Sequence, residues 1–175
     1  NHGYKPFGRD YPETSVGWYR KTFSLTPADK GRKVFLEFDG VFQACAVMVN
    51  GYIVREHTGG YVPFSIDVSD FLNTDDKPNV VAVRVDASLG EGWFYEGAGI
   101  YRHVWLVKTG PVYIPKDGVC VRARTDGTVE VTTTVRNDTD QAQTVSIAYN
   151  GQPLNPPFKI FIFQQNKRVD LPPRS

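Results

Sequence analysis

The chain has 175 residues, of which 41% are hydrophobic and 22% are charged, with 20 Lys and Arg side chains against 19 Asp and Glu. This balance excludes an intrinsically disordered chain, which has fewer apolar residues and a larger net charge. The formal charge of +1 argues against a nucleic-acid-binding protein, because neutralising phosphates requires a surplus of cationic side chains. No apolar stretch approaches the roughly 18 residues of a membrane-spanning helix.

Short segments of alternating apolar and polar residues fill the first part of the chain after an irregular lead-in at residues 1–17. Seven segments are predicted as strands: 18–25, 34–38, 44–50, 52–56, 62–68, 79–86 and 100–108. The Asn50-Gly51 pair between two of them is typical of a type I′ hairpin, whose central residues both need a positive φ. Frequent turns and the lack of a long helix predict an all-β fold, namely an antiparallel sandwich, jelly roll or barrel.

From Val112 onward the pattern changes, and strands are predicted at 119–123, 129–135 and 144–149. We interpret this part as the start of an immunoglobulin-like β-sandwich, which is incomplete because such a domain has about 100 residues. The predicted domains are therefore residues 1–110 and 111–175. Proline residues flank the last apolar run, 159–163, so we expect at most one edge strand there and a frayed end.

The cysteines and histidines give no sign of a metal, a cofactor or a disulfide framework. Cys45 and Cys120 are predicted to be buried thiols that pack as small apolar side chains. None of the three histidines has metal-ligand spacing to another His or Cys, so we expect no metal and no cofactor. The chain begins at Asn1 with no signal-peptide pattern, and we expect a processed chain or an excised piece.

A Gly-rich aromatic segment at 90–99 is the best candidate for a binding site. Sugars present flat C–H faces and a rim of hydroxyl groups, so a sugar site needs aromatic rings with a few convergent polar groups. The rings here are Trp93, Phe94 and Tyr95, and the polar groups are Glu91, Glu96 and Arg102. The alternative is that Trp93 and Phe94 plug one end of the sandwich.

Four residues, Arg102 among them, are assigned places in the fold. Trp18 and Trp105 lie in regular predicted strands and are predicted to be core anchors. Arg102 is predicted to bridge a carboxylate or backbone carbonyl groups at the domain junction. His103 alternates with Val104 and is predicted to be an exposed strand residue.

Five motifs follow one another between residues 17 and 106: GWYRKTF (17–23), FDGV (38–41), VNG (49–51), HTGGYVPF (57–64) and WFYEGAGIYRHVWL (93–106). Their order and spacing resemble the N-terminal sugar-binding domain of glycoside hydrolase family 2, the β-galactosidase and β-glucuronidase family. The resemblance covers roughly residues 4–150. It implies a jelly-roll sandwich like that of galactose-binding domains, followed by an immunoglobulin-like domain and then a catalytic (β/α)₈ barrel that this chain does not reach. The tail departs from the family pattern, because no Trp follows Trp105.

The resemblance also implies where the chemistry lies. The family cleaves glycosides with two barrel glutamates, whose carboxyl groups stand about 5 to 5.5 Å apart in retaining enzymes. No residue here corresponds to them, so no catalytic residue is assigned and the isolated chain is predicted to be inactive. A catalytic pair formed by Glu91 and Glu96 is the minor alternative. By resemblance, sugar contacts fall on Glu91, Trp93 and Tyr95, with Arg9 or Asp10 of the lead-in near the ligand.

Glu96 is also predicted to bond a sugar hydroxyl or to remain a solvated charge. The expected partners are a β-galactoside-like or related glycan and the barrel of the same parent chain, with no nucleic acid and no membrane span. A periplasmic or secreted bacterial protein is the location that the resemblance implies. Two other functions stay open because fold alone does not separate them: a freestanding carbohydrate-binding module or lectin, and a structural β-sandwich module.

Overall fold

The computed structural model describes residues 16–75, 77–87, 99–151 and 163–175. The chain divides into two compact units, one ending at Gly110 and the other beginning at Pro111. No helix in the described ranges is long and apolar enough to cross a membrane.

Nine strands build the first unit. In chain order they are β1 (Val16–Phe23), β2 (Lys33–Phe38), β3 (Val41–Phe42), β4 (Ala44–Val49), β5 (Tyr52–Thr58), β6 (Phe64–Asp67), β7 (Asn79–Asp86), β8 (Gly99–Ile100) and β9 (Val104–Thr109). One antiparallel sheet has the order β1-β7-β4-β5, a second has the order β6-β2-β9, and β3 pairs with β8 alone. The only helical elements of the described unit are two short 3₁₀ turns, Pro27–Asp29 and Ser69–Phe71.

The core of this unit lies between the two larger sheets. Every second residue of β2 and β4 is buried, because successive side chains of a strand point to opposite faces of its sheet. The rings of Phe38 and Phe64 stack within this core at a centroid distance of 4.7 Å. The buried cluster consists of Val34, Leu36, Phe38, Val41, Cys45, Val47, Val49, Phe64, Ile66, Val68, Val83 and Val85. The all-β prediction is confirmed, and the first unit is a β-sandwich.

The prediction that two tryptophans anchor the core is wrong. Trp18 is 63% exposed and Trp105 is 50% exposed. Register explains the difference: Tyr19, not Trp18, lies opposite the buried Val83, and Leu106, not Trp105, lies opposite the buried Leu36. Both tryptophans therefore lie on outer faces of the sandwich.

The predicted strand at 100–108 is interrupted. Residues 101–103 are not in a strand and separate β8 from β9. His103 is exposed as predicted, but it lies just before β9 and not within a strand. Across this break the chain passes from the short β3–β8 pair to the edge of the three-stranded sheet, where β9 pairs with β2.

The second unit consists of paired strands. They are β10 (Val112–Tyr113), β11 (Val119–Ala123), β12 (Val129–Thr133), β13 (Arg136–Asn137), β14 (Gln143–Gly151) and β15 (Phe163–Leu171). The antiparallel pairs are β10–β13, β11–β12 and β14–β15. Asn137 and Leu171 are the buried residues among those described in this unit.

Cys120 shows the consequence of this sparse burial. It lies on β11, all of whose residues are exposed, so the prediction of two buried thiols holds for Cys45 and is wrong for Cys120. Among the described strands β11 pairs only with β12, so the alternating pattern of β11 does not by itself produce burial.

The end of the chain is ordered by hydrogen bonds, which overturns the prediction of a frayed tail. β15 pairs with β14 over nine residues. The buried Asn137 amide donates to the carbonyls of Gln141 and Pro172, both at 2.8 Å, and accepts from Thr139. The backbones of Asn137 and Ser175 exchange two further bonds, Ser175 N–H to Asn137 O at 2.9 Å and Asn137 N–H to Ser175 O at 2.8 Å. These bonds hold the last residues although the sequence of β15 is largely polar.

Candidate functional site

The predicted sugar-binding residues lie outside the described ranges. They are Arg9, Asp10, Glu91, Trp93, Tyr95 and Glu96. The structure does describe the frame around the aromatic segment, because β7 ends at Asp86 and β8 begins at Gly99. β8 pairs with β3 through Ile100 opposite Val41 and Gly99 opposite Phe42, so two of the sequence motifs meet here.

A third motif joins them through Tyr101. Its hydroxyl donates a 2.7 Å hydrogen bond to the carbonyl of Gly60, a residue 41 positions earlier in the chain. The ring of Tyr101 lies against Gly40, where an added Cβ would stand 2.6 Å from the ring carbon Cζ. Glycine at position 40 is therefore what allows Tyr101 to reach the loop that contains Gly60.

Packing against the ring of Phe42 fixes the loop at residues 59–63. Gly60 is buried against the ring of Phe42, so that an added Cβ would overlap this ring. Phe42 in turn meets Tyr61 edge to face at 5.9 Å between centroids. Tyr61 is 68% exposed, so its ring stands at the surface on a rigid support.

His57 supports the same loop. Its Nε2 lies 3.1 Å from the carbonyl of Gly59, which requires that this nitrogen carry the proton and donate. The imidazole stacks on Phe64 at 4.2 Å, and Phe64 stacks on the buried Phe38. His57 therefore connects the loop to the hydrophobic core and leaves only one ring nitrogen available for other partners.

Asp39 organises the segment that leads into β9. Its carboxylate accepts a 2.9 Å bond from the indole Nε1 of Trp105, and its backbone N–H donates to the carbonyl of His103 at 3.0 Å. The imidazole of His103 stacks on the Trp105 indole at 5.0 Å. The guanidinium carbon of Arg102 lies 5.4 Å from the centroid of the Tyr101 ring, a cation–π contact. The predicted bridge from Arg102 to a carboxylate or backbone carbonyl stays a prediction.

Four exposed rings belong to these contacts, and we call them the aromatic rim: Tyr61 and Tyr101, which meet through Gly60, and His103 and Trp105, which stack beside Asp39. The sequence analysis did not place these four rings together. The signal was present in the motifs HTGGY and GIYRHVW, which both contain ring residues beside glycines. The contact between Tyr101 and Gly60, however, joins positions too far apart for local spacing to predict.

The described carboxyl groups with a displaced pKa are better suited to structural pairing than to acid–base catalysis. A general acid working near neutral pH needs a raised pKa. The hydrogen bond from Lys108, at 2.7 Å, lowers the pKa of Asp29 to about 2, with help from the backbone N–H of Thr26. Among the described carboxyls with a displaced pKa, every displacement is downward: Asp29, Asp67, Asp75, Asp126 and Asp140.

The aromatic rim offers ring faces and polar atoms but no metal site. Within the described ranges no group of three His, Cys, Asp or Glu side chains is placed to hold a metal ion. The rim combines apolar ring faces with the Tyr61 hydroxyl, and the Arg102 guanidinium lies over the ring of Tyr101. This is the combination that a polyol with apolar C–H faces requires.

The chain is similar to proteins of a known family. Residues 5–110 match the family model described as the sugar binding domain of glycosyl hydrolases family 2. A β-galactosidase of Bacteroides ovatus is 41% identical over 137 residues, which cover 75% of this chain and 16% of that protein. A β-glucuronidase of Bacteroides fragilis is 35% identical over 108 residues, covering 57% of this chain and 15% of that protein.

Solved structures show the same relationship. The crystal structure of a Bacteroides uniformis β-glucuronidase superposes with a TM-score of 0.79 at 26% identity, covering 93% of this chain and 20% of that one. A family 2 glycosyl hydrolase of Bacteroides cellulosilyticus superposes with a TM-score of 0.77 at 28% identity, covering 90% and 22%. The chain therefore spans about a fifth or less of the length of these relatives.

Proposed function

Because the chain belongs to glycoside hydrolase family 2, we propose that it is the non-catalytic N-terminal part of a longer glycosidase. In this proposal it contributes carbohydrate contacts and a scaffold to a catalytic (β/α)₈ barrel outside residues 1–175. The parent reaction is hydrolysis of O-glycosidic bonds in carbohydrate metabolism, with β-galactosides or related glycans as substrates.

The coverage of the relatives is the observation that carries this proposal. The match occupies most of this chain but only 16% of the B. ovatus β-galactosidase and 20% of the B. uniformis β-glucuronidase chain. Hydrolysis with retention needs two carboxyl groups about 5 to 5.5 Å apart. Hydrogen-bond partners lower the pKa values of Asp29, Asp67 and Asp140. None of these three carboxyl groups has the raised pKa of a general acid.

The sugar contacts are proposed for the end of the sandwich where the motifs meet. The segment that contains Glu91, Trp93, Tyr95 and Glu96 returns at β8, which pairs with β3 and is followed directly by Tyr101 of the aromatic rim. We assign these four residues as candidate substrate contacts, with Arg9 and Asp10 as further candidates. The rigid support of the rim makes it a suitable base for such contacts.

Isothermal titration calorimetry separates this proposal from a freestanding lectin. A domain that supplies only part of a sugar site should show no micromolar binding of galactose or glucuronate, because the remaining contacts are absent. Micromolar affinity of the 175-residue chain, lost on the change Trp93→Ala but kept on the change Trp18→Ala, would support the lectin instead. Trp18 is a suitable control because it is exposed on the outer face of β1, opposite to the face that carries Tyr19.

The corresponding changes in the longer polypeptide test the assigned residues. Trp93→Ala and Glu91→Gln should raise KM for an aryl β-galactoside or β-glucuronide, because each removes a ground-state contact with the sugar. Unchanged kcat and KM in both variants would remove these residues from the proposed site. The substrate that is turned over identifies which of the two glycan classes the parent enzyme uses.

A further inference from the structure

The turn between β4 and β5 consists of Asn50 and Gly51, a pair of residues that can react with each other. In a flexible chain the backbone nitrogen of the glycine attacks the side-chain Cγ of the asparagine. A bond between this nitrogen and Cγ forms, the Cγ–Nδ2 bond breaks, and Nδ2 leaves as ammonia with the proton of the glycine nitrogen. Water then opens the cyclic succinimide to aspartate or isoaspartate. Glycine favours this deamidation because it has no side chain to shield its nitrogen.

In the folded chain the Asn50 side chain is held by three hydrogen bonds. Its Oδ1 accepts from the backbone N–H of Val80 at 2.9 Å. Its Nδ2 donates to the carbonyl of Phe71 at 2.7 Å and to Oδ1 of Asn79 at 2.8 Å. Attack at Cγ and departure of Nδ2 would break these bonds, so the folded turn is protected from deamidation.

The acceptor on Asn79 is itself fixed in orientation. Asn79 is fully buried, and its Oδ1 also accepts from the backbone N–H of Asn73 at 2.7 Å. Its Nδ2 donates to the carbonyl of Asn73 at 3.1 Å. Asn79 therefore cannot turn its amide to offer a donor to residue 50 without losing the bond from Asn73.

Deamidation would remove what this arrangement requires from residue 50. A carboxylate accepts hydrogen bonds and has no donor, so one aspartate oxygen would face the Phe71 carbonyl and Asn79 Oδ1, which are both acceptors. Isoaspartate would add an atom to the backbone of a two-residue turn whose φ angles are 50° and 90°. Either product should destabilise the hairpin and its junction with β7.

A second Asn-Gly pair, Asn150-Gly151, lies at the end of β14 and provides a comparison. Asn150 is exposed, and within the described ranges its side chain forms no hydrogen bond. The two pairs therefore have the same local sequence but different side-chain surroundings.

We propose that Asn50-Gly51 is a latent modification site, which deamidates only in molecules whose turn has separated from the start of β7 and whose product does not regain the native hairpin. The site thus converts a reversible opening of the first unit into a lasting chemical change. This inference goes beyond the proposed function and does not depend on it, because it concerns the 175-residue chain itself.

Peptide mapping by mass spectrometry tests the protection. The 175-residue chain is incubated at mildly alkaline pH, once folded and once in urea, and deamidation of Asn50 should be at least about tenfold slower in the folded chain. Asn79→Ala should speed it in the folded chain by at least about tenfold, because the buried acceptor is lost. The control is Asn73→Ala, which removes only an exposed side-chain bond to Pro78 and should change the rate by less than about twofold. Asn150 in the same digests corrects for differences between incubations.

Urea unfolding of Asn50→Asp tests the effect of the product and does not depend on whether Asn79→Ala folds. Its midpoint should fall by at least about 1 M, whereas Asn73→Asp, the same chemical change at an exposed side-chain bond, should lower it by less than about half as much. Equal deamidation of Asn50 in the folded chain and in urea, an unchanged rate in folded Asn79→Ala, or equal midpoints for Asn50→Asp and Asn73→Asp would each overturn the proposal.

Discussion

The change Asn79→Ala tests the polar network that joins three segments of the first unit. Asn79 is fully buried, and its Oδ1 accepts from Asn50 Nδ2 at 2.8 Å and from the backbone N–H of Asn73 at 2.7 Å. Its Nδ2 donates to the carbonyl of Asn73 at 3.1 Å. Asn50 is the left-handed residue of the Asn-Gly turn, with φ of 50°, so the network fixes this turn against the start of β7.

The expected loss follows from the number of bonds. A hydrogen bond contributes about 0.5–1.5 kcal/mol, and leaving a buried partner unpaired costs about 1–3 kcal/mol. Three bonds are lost, but the half-buried Asn73 backbone can be partly rehydrated. We therefore expect Asn79→Ala to lower the free energy of unfolding by about 2–3 kcal/mol.

Urea unfolding followed by tryptophan fluorescence measures this change. All three tryptophans lie in the first unit, so the signal reports on that unit. With a urea m-value of about 1–3 kcal/mol/M, the midpoint should fall by about 0.7–3 M. The control is Asn73→Ala, which removes an exposed side-chain bond to Pro78 and keeps the backbone groups that Asn79 binds. Equal midpoints for the two variants would refute the reasoning.

Three further changes test other contacts. Tyr101→Phe removes the bond to Gly60 and should cost about 1 kcal/mol in the same urea assay, and an unchanged midpoint would contradict the assigned bond. The pKa of Asp29 is about 2 in the folded chain against an ordinary 3.8, so its stabilising contribution is complete above about pH 5 and is lost as the pH falls through 2. The difference between wild type and Asp29→Asn in acid unfolding should shrink over that range, and a constant difference would refute the assignment. Ellman's reagent should react with Cys120 in the native chain and with Cys45 only after unfolding, and equal native rates would contradict the burial.

Much of the architecture was predictable because local pattern and turn chemistry agree in the centre of the sheets. The Asn50-Gly51 turn and the strand at 79–86 were both predicted, and both are present with the expected bounds. In β2 and β4 only one face is apolar, so alternation alone identifies the buried side chains.

The edge strands were less predictable for a physical reason. β1 has Trp18 on one face and Tyr19 on the other, so its sequence does not say which aromatic ring faces the core. Its register with β7 decides this, and register is a long-range property. The polar strand β15 was missed for a related reason, because backbone pairing with β14 and the bonds of Asn137 hold it without an apolar pattern.

The candidate site was predictable in composition but not in arrangement. The motifs that contain Tyr61, Tyr101 and Trp105 could be identified in the sequence. Their assembly into one aromatic rim depends on contacts between distant segments, such as the bond from Trp105 to Asp39 across 66 positions. Two glycines make the assembly possible, because Gly40 and Gly60 lie where a larger side chain would displace an aromatic ring.

Turnover of aryl β-galactoside and aryl β-glucuronide substrates tests the central claim most directly. The purified 175-residue chain should hydrolyse neither substrate, whereas the longer polypeptide should hydrolyse at least one of them. Hydrolysis by the 175-residue chain itself, abolished by Glu91→Gln or Glu96→Gln, would show that the carboxylate pair lies in this part of the protein and would contradict the account.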